Sequence, residues 1–229
     1  MSGKRTAALL LAALMALGLA GCGADKDKED GQNEGMFIQP AQLSEEETAL
    51  TELLAVEMGN YRMFDFRLSG DSGVQSMWLT AYELVDGDWS VIAQERGAFT
   101  DPEGRIALTF GKVTDGVRTA VQSASGTGTN SYTPIPEDDV SGMAFATSKL
   151  SGPASIEFDQ EIPLVLQVAT AKSEFTTCDV GYFGMPRELA KHGYEHVYAI
   201  TVTFSQKPVS ALPQDAPSPA PPAEPSPGE

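Results

Sequence analysis

The sequence predicts a mainly β protein: an antiparallel β-sandwich or jelly-roll-like domain with one N-terminal helix. Three observations carry this. Apolar residues recur at every second position over much of the chain, as in Phe64, Phe66 and Leu68 or Ile106, Leu108 and Phe110, the period of a strand with one buried face. Turn-forming strings such as Asp86-Gly87 and Asp101-Pro102-Glu103-Gly104 interrupt these runs at short intervals, the punctuation of an all-β sandwich or barrel. Strand and helix patterns do not alternate and no internal repeat is found, which argues against a doubly wound nucleotide fold. A closed barrel is the alternative topology.

Only one segment of the domain has helical spacing. Ser44 followed by Glu47 is a capping-box pattern, and Glu45, Glu46 and Glu47 place negative charge where a helix N-terminus favours it. Leu50, Leu53, Leu54 and Met58 then recur at helical spacing, and Gly59-Asn60 supplies a stop. A packing helix of about 14 residues with a charged outer face is expected.

Strand spacing begins after Asn60, with Phe64, Phe66 and Leu68 on one side. Gly70-Asp71-Ser72-Gly73 turns the chain into Gln75 to Leu84, a strand with large residues on both sides: Trp78, Tyr82 and Leu84 against Met77, Leu79 and Ala81. Asp86-Gly87 marks a tight hairpin into Trp89, Val91 and Ala93. Ile106, Leu108 and Phe110 follow the turn at Asp101, and a short strand is expected from Val117 to Val121. Ser123 to Pro136 is rich in Ser, Gly, Thr and Pro and is expected to be a long loop. The remaining strands are Ser155 to Phe158, Ile162 to Thr170 with Ile162, Leu164, Leu166 and Val168 inward, and Tyr194 to Phe204.

The two ends of the chain differ from this domain. Lys4 and Arg5 precede an apolar run from Ala7 to Leu17, and small residues follow before Cys22, the parts of a secretory signal. The run is shorter than the roughly 20 apolar residues that span a bilayer. Leu19-Ala20-Gly21-Cys22 resembles the lipobox of bacterial lipoproteins. That resemblance implies cleavage between Gly21 and Cys22, a diacylglycerol on the Cys22 sulfur, and attachment to the membrane on its extracytoplasmic side. Two or three acyl chains, at about 0.8 kcal/mol per buried CH₂, anchor firmly where one is marginal.

The expected organisation is a signal peptide over 1–21, a lipidated tether over 22–35, one β-rich domain over 36–211 and a Pro-rich tail over 212–229. Residues 23–35 contain no large apolar side chain and as a flexible coil would span on the order of 20 Å. The tail, with Ala216-Pro217-Ser218-Pro219-Ala220-Pro221-Pro222, favours polyproline II, reaching about 50 Å when extended. The middle, at about 175 residues, is long enough to bury close to 70% of its chain surface.

Fifteen basic residues against 32 acidic ones give a net charge of −17, and loss of Lys4 and Arg5 with the signal takes it to −19. Such a balance argues against nucleic acid as a partner, since that affinity comes largely from Lys and Arg on phosphates. It leaves no basic patch for anionic headgroups, so the lipid on Cys22 is the expected link to the membrane. With Cys22 acylated, Cys178 has no partner within the chain and is expected to be buried.

His192-Gly193-Tyr194-Glu195-His196 fits the inverted zincin pattern, in which two histidines bind zinc and the glutamate acts as base. That chemistry needs a helix to bring residues four apart onto one face, but Gly193 weakens a helix and Tyr194, Tyr198, Ile200, Val202 and Phe204 continue at strand spacing. His192 and His196 remain the metal candidates. Acids cluster at Asp86 with Asp88, at Asp101 with Glu103 and at Glu137-Asp138-Asp139, without the spacing of a twelve-residue calcium loop. The string Ser123-Ala124-Ser125-Gly126-Thr127-Gly128 has neither a nucleophile elbow nor a phosphate-loop lysine. No cofactor motif is found. Trp78, Tyr82 and Trp89 are the aromatics that could bind sugar, with core packing as the competing role.

The function expected on these grounds is that of a membrane-anchored extracytoplasmic lipoprotein, a noncatalytic binding or scaffold module of the cell envelope. Its layout is similar to that of small uncharacterised lipoproteins of Gram-positive bacteria, an architectural resemblance that carries no active site. The alternatives are an envelope hydrolase with a metal near His192 and His196, and a sugar-binding sandwich module.

Overall fold

Two antiparallel sheets stack face to face in the computed structural model, which describes residues 35–58, 60–132, 140 and 142–212. The signal peptide, Gly21 and Cys22, nearly all of the tether, the tail after Leu212 and the acids 137–139 lie outside the described residues. The strands are β1 (Phe37–Pro40), β2 (Asn60–Arg67), β3 (Ser76–Val85), β4 (Asp88–Ala98), β5 (Glu103–Phe110), β6 (Arg118–Ser123), β7 (Gly126–Ser131), β8 (Ala144–Lys149), β9 (Ala154–Ser155), β10 (Ile162–Thr170) and β11 (His196–Ser205). One sheet has the order β7-β6-β5-β2-β1-β9 and the other β4-β3-β11-β10-β8. The expected mainly β sandwich is therefore the fold.

Between the sheets lie the alternating side chains that the sequence marks, Phe64, Phe66, Ile106 and Leu108 facing Leu79, Ile200, Val202 and Phe204. Burial of each such side chain contributes about 1.5–3 kcal/mol. Phe66 packs at 5.0 Å from Phe204 and edge-on at 5.4 Å to Phe99, so one ring bridges both sheets. This ring fixes the residue opposite it. A Cβ on Gly104, which pairs with Phe66, would lie 2.5 Å from the Gln122 carbonyl oxygen and 2.8 Å from the Phe66 ring. Gly104 is thus a strand residue and not the end of the Asp101 turn.

Asp86 and Gly87 both have positive φ, 53° and 83°, the backbone of a type I′ hairpin whose twist matches the strands it joins. Two bulges then set which side chains point inward. In β4 the register skips Ile92, between Ala81↔Ala93 and Tyr82↔Val91, and Ile92 and Ala93 both pack on the core. In β10 the shift between Pro163 and Val165 turns Leu164 and Val165 both inward. Parity changes there, because an inserted residue exchanges the faces of everything after it. The expectation that Ile162, Leu164, Leu166 and Val168 share one face fails for this reason. Ile162 and Leu164 enter the main core, whereas Leu166 and Val168 face outward into a second cluster.

That second cluster lies under the segment between β10 and β11. Asp179 caps a 3₁₀ turn over Val180–Gly184 by accepting from Gly181 N–H at 2.8 Å, and the short helix α2 (Pro186–Ala190) follows. Val180 and Leu189 seal Leu166, Val168 and Val197 from solvent. Cys178 is buried among them, as expected.

The helix α1 (Glu45–Met58) forms with the expected capping box: Ser44 N–H donates to Glu47 at 2.8 Å, and Glu47 N–H donates to the Ser44 hydroxyl at 3.2 Å. Its packing differs from expectation. Leu50 and Leu53 are 57% and 68% exposed, and the tie of the first turn to the sheet is ionic. Arg105 donates to Glu47 at 2.9 Å and to Asp65 at 2.7 Å. Periodicity alone does not bury a helix where an ion pair sets its approach.

Three further strands exceed the expected set. Of these, β1 and β8 pair with partners remote in sequence, and β7 forms where a loop is expected. Its ladder with β6 runs from Arg118↔Ser131 to Ser123↔Gly126 around the Ala124-Ser125 turn. The stretch expected as Ser155 to Phe158 is a strand only over Ala154–Ser155.

Gln167 joins the two sheets. Its side chain is fully buried; Oε1 accepts from Val113 N–H at 2.9 Å, while Nε2 donates to the Gly111 carbonyl at 3.2 Å and to Thr147 Oγ1 at 3.0 Å. Gly111 and Val113 follow β5 of one sheet, and Gln167 and Thr147 sit on adjacent strands of the other. Gln167→Leu strands these buried partners and is expected to lower the unfolding free energy by about 3 kcal/mol in urea titrations with an unchanged m-value. Gly104→Ala is expected to cost about 1–3 kcal/mol through overpacking under Phe66; a thermal midpoint equal to wild type would refute that close approach.

Candidate functional site

On one side of the sandwich the edge strands of the two sheets, β7 and β4, flank a cleft of about 400 Å³. Its apolar floor comes from Met77, Leu79, Phe99 and Val121. The register explains why β7 lays no side chain over this floor. Val121 points into the core, so its partner Gly128 and, two residues earlier, Gly126 occupy inward positions on β7. Neither glycine has a side chain to lay over the floor, and a Cβ built on either meets nothing within 4 Å.

Polar groups rim the floor. Glu95, opposite Leu79 on β4, accepts from the Thr119 hydroxyl at 2.6 Å. Asp101 holds the β6–β7 turn in place, accepting from the Ser123 hydroxyl, from Ser125 N–H at 3.1 Å and from the Ser125 hydroxyl at 2.8 Å. The bonds from Ser123 and then Ser125 hold the Asp101 carboxyl below its ordinary value of 3.8. A carboxylate so held is a poor proton donor near neutrality. Among the described residues no lysine or arginine lines the cleft.

The expected metal candidates do not converge. His192 lies in the turn after α2, stacked on Tyr194 at 5.7 Å and edge-on to Tyr182 at 5.5 Å. His196 opens β11, with Nδ1 3.2 Å from Glu83 and its ring stacked on Tyr198. Gly193, at φ 65°, breaks the chain between them. Glu195 accepts from Ala171 N–H at 3.3 Å, and its carboxyl is lowered first by the Thr170 hydroxyl. The inverted zincin arrangement needs a helix that is not there. Among the described residues no group of three His, Cys, Asp or Glu side chains is placed to hold a metal ion.

The other singled-out residues serve the fold. Trp89 Nε1 donates to the Phe183 carbonyl at 2.8 Å and its ring stacks on Phe183 at 5.0 Å. Tyr82 is buried, with its hydroxyl on Glu161, and its ring plane is 61° from that of Trp89. These rings share no plane on which a sugar would lie. Trp78 is half-buried and is among the residues that line the cleft. Cys178 Sγ lies 3.3 Å from the Tyr194 hydroxyl, and burial, reinforced by that thiol, pushes the phenol up to about 12. Of the expected acid clusters, Asp86 forms the hairpin turn and Asp101 its serine-filled one.

The cleft residues Glu95, Phe99, Val121, Gly126 and Gly128 are absent from the expected site set. One signal could have found the two glycines: Gly126, Gly128 and Asn130 alternate with Thr127 and Thr129, a period of two with a β-branched residue at every second place. Comparison with protein-family models, curated proteins and solved structures finds no match.

Because the folded pKa of Asp101 is depressed, its contribution to stability is present above pH 3.8 and is lost as pH falls through the lower folded value. Carbon-13 NMR is expected to show the Asp101 carboxyl titrating below 3.8. Asp101→Asn is expected to flatten the acid limb of the stability curve, and an identical limb in both proteins would contradict the assigned hydrogen bonds.

Proposed function

We propose that this chain is a lipid-anchored extracytoplasmic lipoprotein whose sandwich is a noncatalytic binding module of the cell envelope, with the cleft between β4 and β7 as its binding site. The anchor rests on Leu19-Ala20-Gly21-Cys22 behind a basic start and an apolar run. The observation that favours binding over catalysis is the cleft's own lining. It offers an apolar floor, hydroxyls and backbone, and its two carboxylates are engaged by Thr119, Ser123 and Ser125. A hydrolase would need a nucleophile beside a base, or an acid with a raised pKa, whereas Asp101 is shifted the other way.

The wider molecule fits a tethered acid. A body with net charge −19 after signal removal is repelled by anionic headgroups, so acyl chains would hold it while the charge keeps the cleft off the membrane. The expected outcome is that the wild-type protein partitions into the detergent phase with a mass raised by diacylglycerol, and that Cys22→Ala moves it to the aqueous phase. An unmodified, water-soluble wild type carrying residues 1–21 would overturn the reading.

A further inference from the structure

We infer that the cleft captures an extended, lysine- or arginine-bearing peptide segment of another protein, which adds as a strand to the free edge of β7. This rests on the reading of the cleft as a binding site and names what fills it.

Backbone comes first. In the ladder to β6, Tyr132 N–H donates to the Val117 carbonyl, and hydrogen-bonded and outward-facing positions alternate in an antiparallel pair. Thr127, Thr129 and Ser131 therefore turn their N–H and C=O groups away from β6, toward the edge on which, among the described residues, no strand pairs. Natural edge strands are blunted by charge, proline or a bulge. The six residues of β7 are Gly, Thr, Gly, Thr, Asn and Ser, without any of these, in unbroken register and all exposed. Such an edge is a template for strand addition.

Side chains supply the rest. A strand laid along β7 would turn alternate residues inward, above Met77, Leu79, Phe99 and Val121, where Gly126 and Gly128 leave room. An aliphatic residue at those places buries the floor that the glycines leave open. Charge selects the partner. Glu95 and Asp101 rim the cleft, their described partners are neutral hydroxyl and amide groups, and among the described residues no basic side chain lines the space. A second copy of this chain, with net charge −19 after signal removal, would bring carboxylates against carboxylates, so a basic partner is favoured over self-pairing.

The test titrates the protein as purified in detergent, whatever the state of Cys22, with a labelled, end-blocked heptapeptide alternating lysine and valine, read by fluorescence anisotropy. Three control peptides separate the terms: one N-methylated at alternate residues, which keeps charge and loses donors; one with glutamate for lysine; and one with serine for valine. Each is expected to bind at least tenfold more weakly. Two variants probe the site. Gly128→Leu fills the floor in open space and is expected to weaken binding at least tenfold with a melting temperature no lower than wild type. Thr129→Pro removes an outward N–H, a change an edge strand tolerates, and is expected to do the same. Equal binding of the N-methylated peptide, or wild-type affinity in both variants, would overturn the proposal and leave only charge attraction. A dimer that disappears in Thr129→Pro would overturn it in favour of self-pairing. None of these results bears on whether Cys22 carries lipid, so failure here and failure of the anchor are distinguishable.

Discussion

The sandwich depends on one amide buried among carbon. Gln167 is fully buried, its three hydrogen bonds are made to protein, and those partners belong to β8 of one sheet and to the segment that follows β5 of the other. A buried polar group with every bond satisfied is selective in a way that apolar packing is not. Leu79 and Val202 can slide against Phe64 and Ile106 at little cost, whereas the Gln167 amide has one arrangement that satisfies Val113, Gly111 and Thr147 together. The tie fixes the stagger of the sheets at one place. The remaining contacts follow from that stagger: Phe66 meets Phe204, and the second cluster forms on the far side of β10.

Closure is not equal around the molecule. The outer face of the five-stranded sheet is sealed over Leu166 and Val168 by the segment carrying Val180 and Leu189. On the side where β4 and β7 form the edges no comparable cover is found among the described residues, and it is there that inward positions carry glycine. A Cβ at residue 128 would meet nothing within 4 Å, yet the position carries glycine, and Phe99 and Val121 beneath it stay half-buried where Met77 and Leu79 are buried. Apolar surface left partly exposed costs stability, and here it lies beside strand edges on which, among the described residues, no further strand pairs. The inward glycines and the free edge lie on the same few residues of β7, and neither His192 nor His196 lines the cleft.

The parts legible in the sequence are those set by local periodicity and turn chemistry. The Ser44 and Glu47 capping box, the Asp86-Gly87 hairpin and the alternation through Phe64 and Phe66 each act over a few residues, and each appears as written. Less local features were hidden. β7 owes its strand to pairing with β6 and not to its weak propensity, and Leu50 and Leu53 stay exposed although their spacing marks a packing face. His192 and His196 share a motif in the chain but not in space, because the backbone between them turns at Gly193.

By itself the sequence determined the class of fold, the helix with its cap, most strand positions and the acidic charge of the body, because these follow from the composition and from interactions between near neighbours. Only the tertiary structure decided which face each side chain took after the bulges in β4 and β10, since one inserted residue exchanges inside for outside and leaves no mark in an apolar run. It also decided where the cleft lies. A gap between two sheet edges is made by strands far apart in the chain, and the glycines that open it gain their meaning only from the residues they fail to cover.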